Sequence, residues 1–344
     1  MANANKKEQR ANDIQPLSIV IPCVDTFEAW KSLLEAIEKL EINQAEIIIC
    51  LSGPYVFDNI SKIEAFKKSK KTSNTKYQLL NLGTQPVFPG KARNQGILSS
   101  SYNTIGFLDT KTKPCSSWPL DSFSLLKSKN SDIILGKTKY IPKSNIESLF
   151  IDCTYGRKPL LTIPGTIAKR EIFSKVGLFL PNARTGEDTD WIERVKNFGY
   201  QIMGPQNTTC KYLSTPNTLK KIAKKWFFSY YKACTIVPHL AMQRLYYLAF
   251  FSIITLLLAY RWNALIAGWN TDSPLYLMYP TRATLIIIFL TYIAARGLVM
   301  PLKKEVPLRS LLPLRFLAIA FMSGILDITK AIAYASGILP RLWR

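Results

Sequence analysis

Four short, nearly continuous apolar runs, separated by stretches of helical periodicity, limit what residues 17–108 can become. The runs are Leu17–Pro22 (LSIVIP), Glu46–Leu51 (EIIICL), Tyr77–Leu82 (YQLLNL) and Thr104–Leu108 (TIGFL). Runs of this kind suit strands buried on both faces. Over 27–40, Phe27, Trp30, Leu33, Leu34, Ile37 and Leu40 recur at helical spacing; further helical stretches cover 56–71 and Gly90–Leu98. Strands alternating with helices predict an α/β domain, a mostly parallel sheet with right-handed crossovers and flanking helices. Ligands of such sheets sit beyond the carboxyl ends of the strands. Pro22–Asp25, Ser52–Tyr55 and Asp109–Lys113 are therefore expected to face one cleft. Farther on, the pattern reads as α+β: a strand over Asp132–Tyr140 and helices over Lys169–Val176 and Asp188–Phe198. The second helix has Trp191, Ile192, Val195 and Phe198 as its apolar face, and Gly199 is placed to end it.

Hydrophobic residues make up 48% of the 344 positions and are unevenly placed. From Tyr246 on, three segments are strongly apolar: Tyr246–Trp262, Ala283–Met300 and the longer, broken Leu311–Ile338, which carries Arg315, Asp327 and Lys330. Two or three membrane helices are one reading, with Tyr246, Tyr247, Tyr260 and Trp262 suited to an interfacial belt. The third segment either spans or lies at the interface; a buried helical domain is the other reading. Loop charge favours the membrane. With the first domain cytosolic, the outer loop 263–282 carries Arg282, and the inner loop 301–315 carries Lys303, Lys304, Arg309 and Arg315. Residues 1–15 are polar and do not resemble a signal peptide. The expected order is a disordered tail over 1–15, an α/β domain over 16–215, a basic and aromatic amphipathic linker helix over 216–245, and a membrane region over 246–344.

The net charge of +22 predicts an anionic partner or surface. Lys67, Lys68, Lys70 and Lys71 form one run; Lys220, Lys221, Lys224 and Lys225 form another shortly before the apolar segments, where lipid headgroups are expected. No nucleic-acid motif accompanies the charge, so no nucleic-acid partner is expected. Cys23, Cys50, Cys115, Cys153, Cys210 and Cys234 form no CxxC and read as thiols in a reducing compartment. His239 is the single histidine, which counts against a Cys–His zinc site.

Four motifs occur in a telling order: Ser18-Ile19-Val20-Ile21-Pro22, Gly90-Lys91-Ala92-Arg93-Asn94-Gln95-Gly96, Phe107-Leu108-Asp109 and Gly186-Glu187-Asp188-Thr189-Asp190-Trp191. Together they resemble the family 2 glycosyltransferases over residues 16–215. The resemblance implies a GT-A fold, a Rossmann-like nucleotide-binding half joined to an acceptor-binding half. It also implies C-terminal membrane helices and a nucleotide-diphosphate sugar as donor. Asp188 would be the base that takes the acceptor's proton, with Glu187 positioning acceptor or donor. Asp190 would cap or support the helix, with Trp191 beside it. Read from the residues alone, the same acids suit a helix N-terminus, with Asp188 as N-cap. Pro22, Asp25, Ser52, Arg93 and Asp109 would line the donor site; a solvated helix face is the alternative for Arg93.

Three departures from the family pattern stand out. Asp109 is the first acid of the family's metal-binding Asp-x-Asp, but the second position is Lys111, which counts against a divalent cation (Mg²⁺ or Mn²⁺) at Asp109. Where the family often places a metal-binding His, Thr208–Tyr212 offers Lys211. Lys111 and Lys211 could replace part of the cation's charge at the diphosphate, or simply face solvent. After the second strand, Leu51-Ser52-Gly53-Pro54 lacks the usual acid; Asp25 could compensate. The expected activity is single, inverting transfer of a sugar to a lipid-linked or polysaccharide acceptor at the cytoplasmic membrane face, since no Gln-x-x-Arg-Trp motif of processive synthases is present. The alternative is a degenerate relative that binds a glycan, a nucleotide-sugar or a synthase partner.

Overall fold

A computed structural model describes residues 16–40, 42, 44–69, 75–233 and 239–342, without side-chain detail at 233, 239–249 and 338–342. The expectations for the tail over 1–15, for Lys70 and Lys71, for Cys234, and for the side chains of His239, Tyr246 and Tyr247 lie outside the described residues. Chain contacts divide the molecule into two units, Met1–Ser148 with Arg157–Thr218, and Leu149–Gly156 with Leu219–Arg344.

The first unit opens with β1 (Leu17–Cys23), α1 (Phe27–Ile37), β2 (Ala45–Leu51), α2 (Val56–Ser69), β3 (Thr75–Asn81), α3 (Pro89–Ser99) and β4 (Thr104–Phe107). Then follow β5 (Thr112–Pro114), α4 (Trp118–Ser128), β6 (Ile133–Tyr140), α5 (Asn145–Cys153, which passes into the second unit at Leu149), β7 (Leu160–Lys169), α6 (Glu171–Lys175), α7 (Glu187–Asn197) and β8 (Cys210–Tyr212). One sheet runs β3-β2-β1-β4-β7-β6-β8-β5. Side chains alternate across it, as a pleat requires. Leu17, Ile19, Ile21, Ile47, Ile49 and Leu51 pack with α1, α2 and α4. Val20, Ile48, Cys50, Ile105 and Phe107 pack with α3, α6 and α7 on the other face. The runs of β1, β2 and β4 are continuous because both of their faces are covered; β3, at the edge of the sheet, is only partly buried, which corrects the expectation for its run.

The sheet is parallel from β3 to β4. Beyond that it is mixed: β7 is antiparallel to β4 and β6, β8 parallel to β6, and β5 antiparallel to β8, so that β7 and β5 run against the direction shared by the others. The whole of β7 was missed, and Lys169 ends this strand rather than opening a helix; α6 begins at Glu171. Pro164 and Gly165 break the strand pattern, and the ladder shifts register there, between Ile134 and Gly136. Helix α1 stops at Ile37, short of the expected Leu40. Phe198 lies beyond the end of α7 and is exposed, so it is not part of that helix's buried face.

The steps from Phe107 to Thr112 can span at most about 18 Å. In a flat sheet β4 and β5 would lie four strand spacings apart, about 19 Å. The far half of the sheet must therefore curl toward β4, and this places the turn after β4 beside β8.

The second unit contains α8 (Leu219–Ala233), α9 (His239–Tyr260), α10 (Pro280–Ala294), a π-helical turn (Ala295–Val299) and α11 (Arg315–Leu342). Among the described residues, two helices are long and apolar enough to cross a membrane, Pro280–Lys303 and Arg315–Gly337. The first apolar segment is represented by the shorter Phe250–Tyr260. The charges inside the third segment are paired. Asp327 accepts hydrogen bonds from Tyr292 and Arg296, each at 2.9 Å, and Arg315 lies 2.8 Å from Asp152. Trp226 on α8 meets Phe150 edge-on.

Candidate functional site

Pro22 lies inside β1, in register with Cys50 of β2. Its missing N–H costs nothing. Alternate residues of β1 turn to β4, and β4 stops beside Val20, whose carbonyl accepts the N–H of Leu108. The chain leaves β1 into a turn held by Asn59 of α2, whose Nδ2 donates to the carbonyl of Asp25 at 3.0 Å. The buried Ser52 donates its N–H to the Cys23 carbonyl, and its Oγ accepts the N–H of Val87 at 3.1 Å. Ser52 thus ties the end of β2 to the loop before α3.

The Gly-rich motif is α3. Its Gly96 is required by close approach, since a Cβ there would sit 2.3 Å from Val20 Cγ1. Asn94 exchanges two hydrogen bonds with the backbone of Phe179, at 2.8 and 3.0 Å. Arg93 is buried, with its guanidinium over the Phe179 ring. It donates to Asp109 Oδ1 at 3.0 Å and to Glu187 Oε1 at 3.1 Å. Arg93 is therefore not on a solvated face: it joins the acid after β4 to the acid that opens α7. Burial opposes its charge, but Asp109 and Glu187 outweigh this and hold its pKa above the ordinary value. Burial also lifts Glu187, and the attraction of Arg93 offsets this in part.

The turn after β4 is closed by Thr112, which donates its N–H and hydroxyl to the Asp109 carbonyl, at 2.9 and 2.7 Å. Thr110 Oγ1 donates to Asp25 Oδ2 at 2.9 Å, and Lys111 Nζ lies 3.9 Å from the same oxygen. The turns after β1 and β4 thus meet at Asp25, Thr110 and Lys111, with Asp109 next in the chain.

Helix α7 is capped by Gly186 in the left-handed region (φ 88°), not by Asp188. Asp190 pairs with Arg194 at 2.8 Å, and Arg194 also donates to the carbonyls of Val176 and Leu178. Trp191 stacks on Phe173 and donates to the Gly177 carbonyl. Both residues secure the helix. Asp188 accepts the N–H of Thr189 at 2.8 Å. Among the described residues no cation lies within ion-pair distance of Asp188, whereas Asp25, Asp109 and Glu187 each have one.

Lys211 is not brought to these acids. It stands in register with Lys113 and Lys139, and its charge is felt at Cys115. The neighbouring residue, Tyr212, packs its ring on Tyr140. It lies opposite Thr112 on β5 and Tyr140 on β6. Burial first, then Tyr212, Asp109 and Asp188, push the Tyr140 hydroxyl's pKa up. Thr110, Thr112, Tyr140 and Tyr212 carry no motif and could not be singled out beforehand.

The donor set does not suit a divalent cation. Among the described residues no three of His, Cys, Asp and Glu converge, Asp109 is engaged by Arg93, and Lys111 adds positive charge beside Asp25. The five described cysteines are unpaired.

No protein-family model and no curated protein matches this chain. Solved structures do. A mannosyltransferase from Pyrobaculum calidifontis, PcManGT, in complex with GDP-Man and Mn²⁺, is similar with a TM-score of 0.52 at 10% identity, over 97% of this chain and 94% of that one. TarS of S. aureus, residues 1–349 in complex with UDP-GlcNAc, has a TM-score of 0.43 at 13% identity, over 96% and 93%. Against the longer TarS structure the TM-score is 0.42 at 13% identity, over 93% of this chain and 54% of that one. At these identities the likeness is one of fold: the mixed sheet with flanking helices is a glycosyltransferase-like Rossmann fold.

Proposed function

We propose that the protein is a glycosyltransferase that moves a sugar from a nucleoside-diphosphate sugar to an acceptor hydroxyl, in a single transfer with inversion. One observation carries the reading: Asp188 is the carboxylate of the cleft without a cationic partner among the described residues, while Arg93 and Lys111 engage the others. A base must be free to accept a proton. Asp188 takes the acceptor proton as the acceptor oxygen bonds to the anomeric carbon. The bond from that carbon to the diphosphate oxygen breaks, and the nucleoside diphosphate leaves with the electron pair. Asp25, Ser52 and Pro22 line the donor side. Lys111 lies where it can meet the departing charge; Arg93 and Glu187 hold the frame that spaces Asp109 from Asp188. No step is routed through a metal.

The chemistry belongs at a membrane surface in this reading, since two helices have the length and composition to span. The first unit would lie on the cytoplasmic side, and the acceptor would be lipid-linked or a polysaccharide. The test is Asp188→Asn: transfer falls by about 100-fold or more, and affinity for the donor stays within twofold. Undiminished turnover in this variant removes Asp188 as base. Donor binding without turnover in the unaltered protein would favour a binding role instead.

A further inference from the structure

The cleft contains a feature that the transfer reading does not use. Thr112, Tyr212 and Tyr140 form a row across β5, β8 and β6, each in register with the next. Thr112 anchors the row to Asp109 through its hydroxyl. The two tyrosine rings lie 5.1 Å apart, centre to centre, tilted by 36°. Both tyrosines are half-buried and keep exposed surface. Through Thr112 the pair adjoins the turn that carries Asp109, and the charges of Asp109 and Asp188 both reach Tyr140.

We propose that Tyr140 and Tyr212 form the floor of an acceptor subsite that takes the face of a pyranose ring, so that the acceptor is a glycoside rather than a bare lipid phosphate. The proposal rests on the transfer reading above for its role in turnover, but not for sugar binding. The chemistry is that of an aromatic face. Its negative quadrupole attracts the weakly positive C–H groups along one side of a sugar ring, while the phenol hydroxyls keep polar partners. Two tilted rings side by side give a broader apolar floor than one. A ring lying there leaves its edge hydroxyls toward Asp188, the geometry proton removal requires.

The experiment uses the full chain in detergent with four variants, Tyr140→Leu, Tyr212→Leu, Tyr140→Phe and Tyr212→Phe, each checked by thermal melting. The first readout is saturation-transfer NMR with methyl glucopyranoside and methyl N-acetylglucosaminide. Ring protons of at least one sugar are expected to saturate with the unaltered protein and with both Phe variants. The signal should fall by about fivefold or more with each Leu variant that melts normally. The second readout is turnover with UDP-GlcNAc or GDP-Man. In the Leu variants the acceptor KM should rise about tenfold, with kcat within threefold and donor affinity unchanged. No signal with either sugar, an undiminished signal in the Leu variants, or equal use of polyprenyl phosphate in place of glycosides overturns the proposal. If no nucleotide-sugar binds the unaltered protein while the NMR pattern is as expected, the tyrosine site stands and the transfer reading fails.

Discussion

Arg93 shows how much one side chain carries here. It was marked by its motif, and a donor contact was the expectation. The structure buries it between Asp109 and Glu187. Removing one partner of a buried ion network leaves uncompensated charge. Arg93→Met is expected to lower stability by about 3–5 kcal/mol in denaturant unfolding, and Glu187→Gln in the same chain should restore part of the loss. Additive losses would show that the two side chains do not interact. Lys111 supports a different prediction. A dication placed about 4 Å from a fixed positive charge is repelled by ~4 kcal/mol per unit charge at an effective dielectric near 20. Nucleotide-sugar binding, read by calorimetry, should therefore survive a chelator, and Lys111→Ala should weaken it about tenfold. Binding that vanishes in chelator and returns with Mn²⁺ would show that Asp109 holds a metal despite Lys111.

At the scale of elements, α3 is the keystone: it packs on β1 and β2, fixes Phe179 through Asn94 and presents Arg93. Its hydrophobic pattern is weak, and its position depends on Gly96 lying against Val20. Gly96→Ala must push a methyl group into Val20, an overpacking cost of about 1–3 kcal/mol. This should lower the Tm, and Val20→Ala in the same chain should recover most of it. An unchanged Tm in Gly96→Ala would mean that α3 shifts freely. The strands β1 to β4 and helix α1 were legible because each is set by local periodicity, whereas α3 was marked by its glycine-rich motif. Strand β7 was not legible, because Pro164 and Gly165 sit at its register shift and only the neighbouring strand makes that irregular backbone a ladder.

For the whole molecule, the second unit carries the two helices with the length and composition to span a membrane. Long apolar helices with paired internal charges predict that the full chain pellets with membranes and stays there in high salt and alkaline carbonate, leaving only with detergent. Release by salt alone would show that surface lysines hold it instead. The sequence by itself determined the alternating strand and helix order to residue 108, the acids of α7 and the apolar C-terminal segments. These follow from short-range pattern: burial on two faces makes a run continuous, and a helix repeats every few residues. Only the tertiary structure decided that Arg93 is a bridge, that Asp188 alone among the described acids of the cleft lacks a cation, and that Tyr212 packs its ring on Tyr140. Each of these depends on which residues curling of the sheet and cross-strand register bring together from distant parts of the chain, and no local pattern records such a pairing.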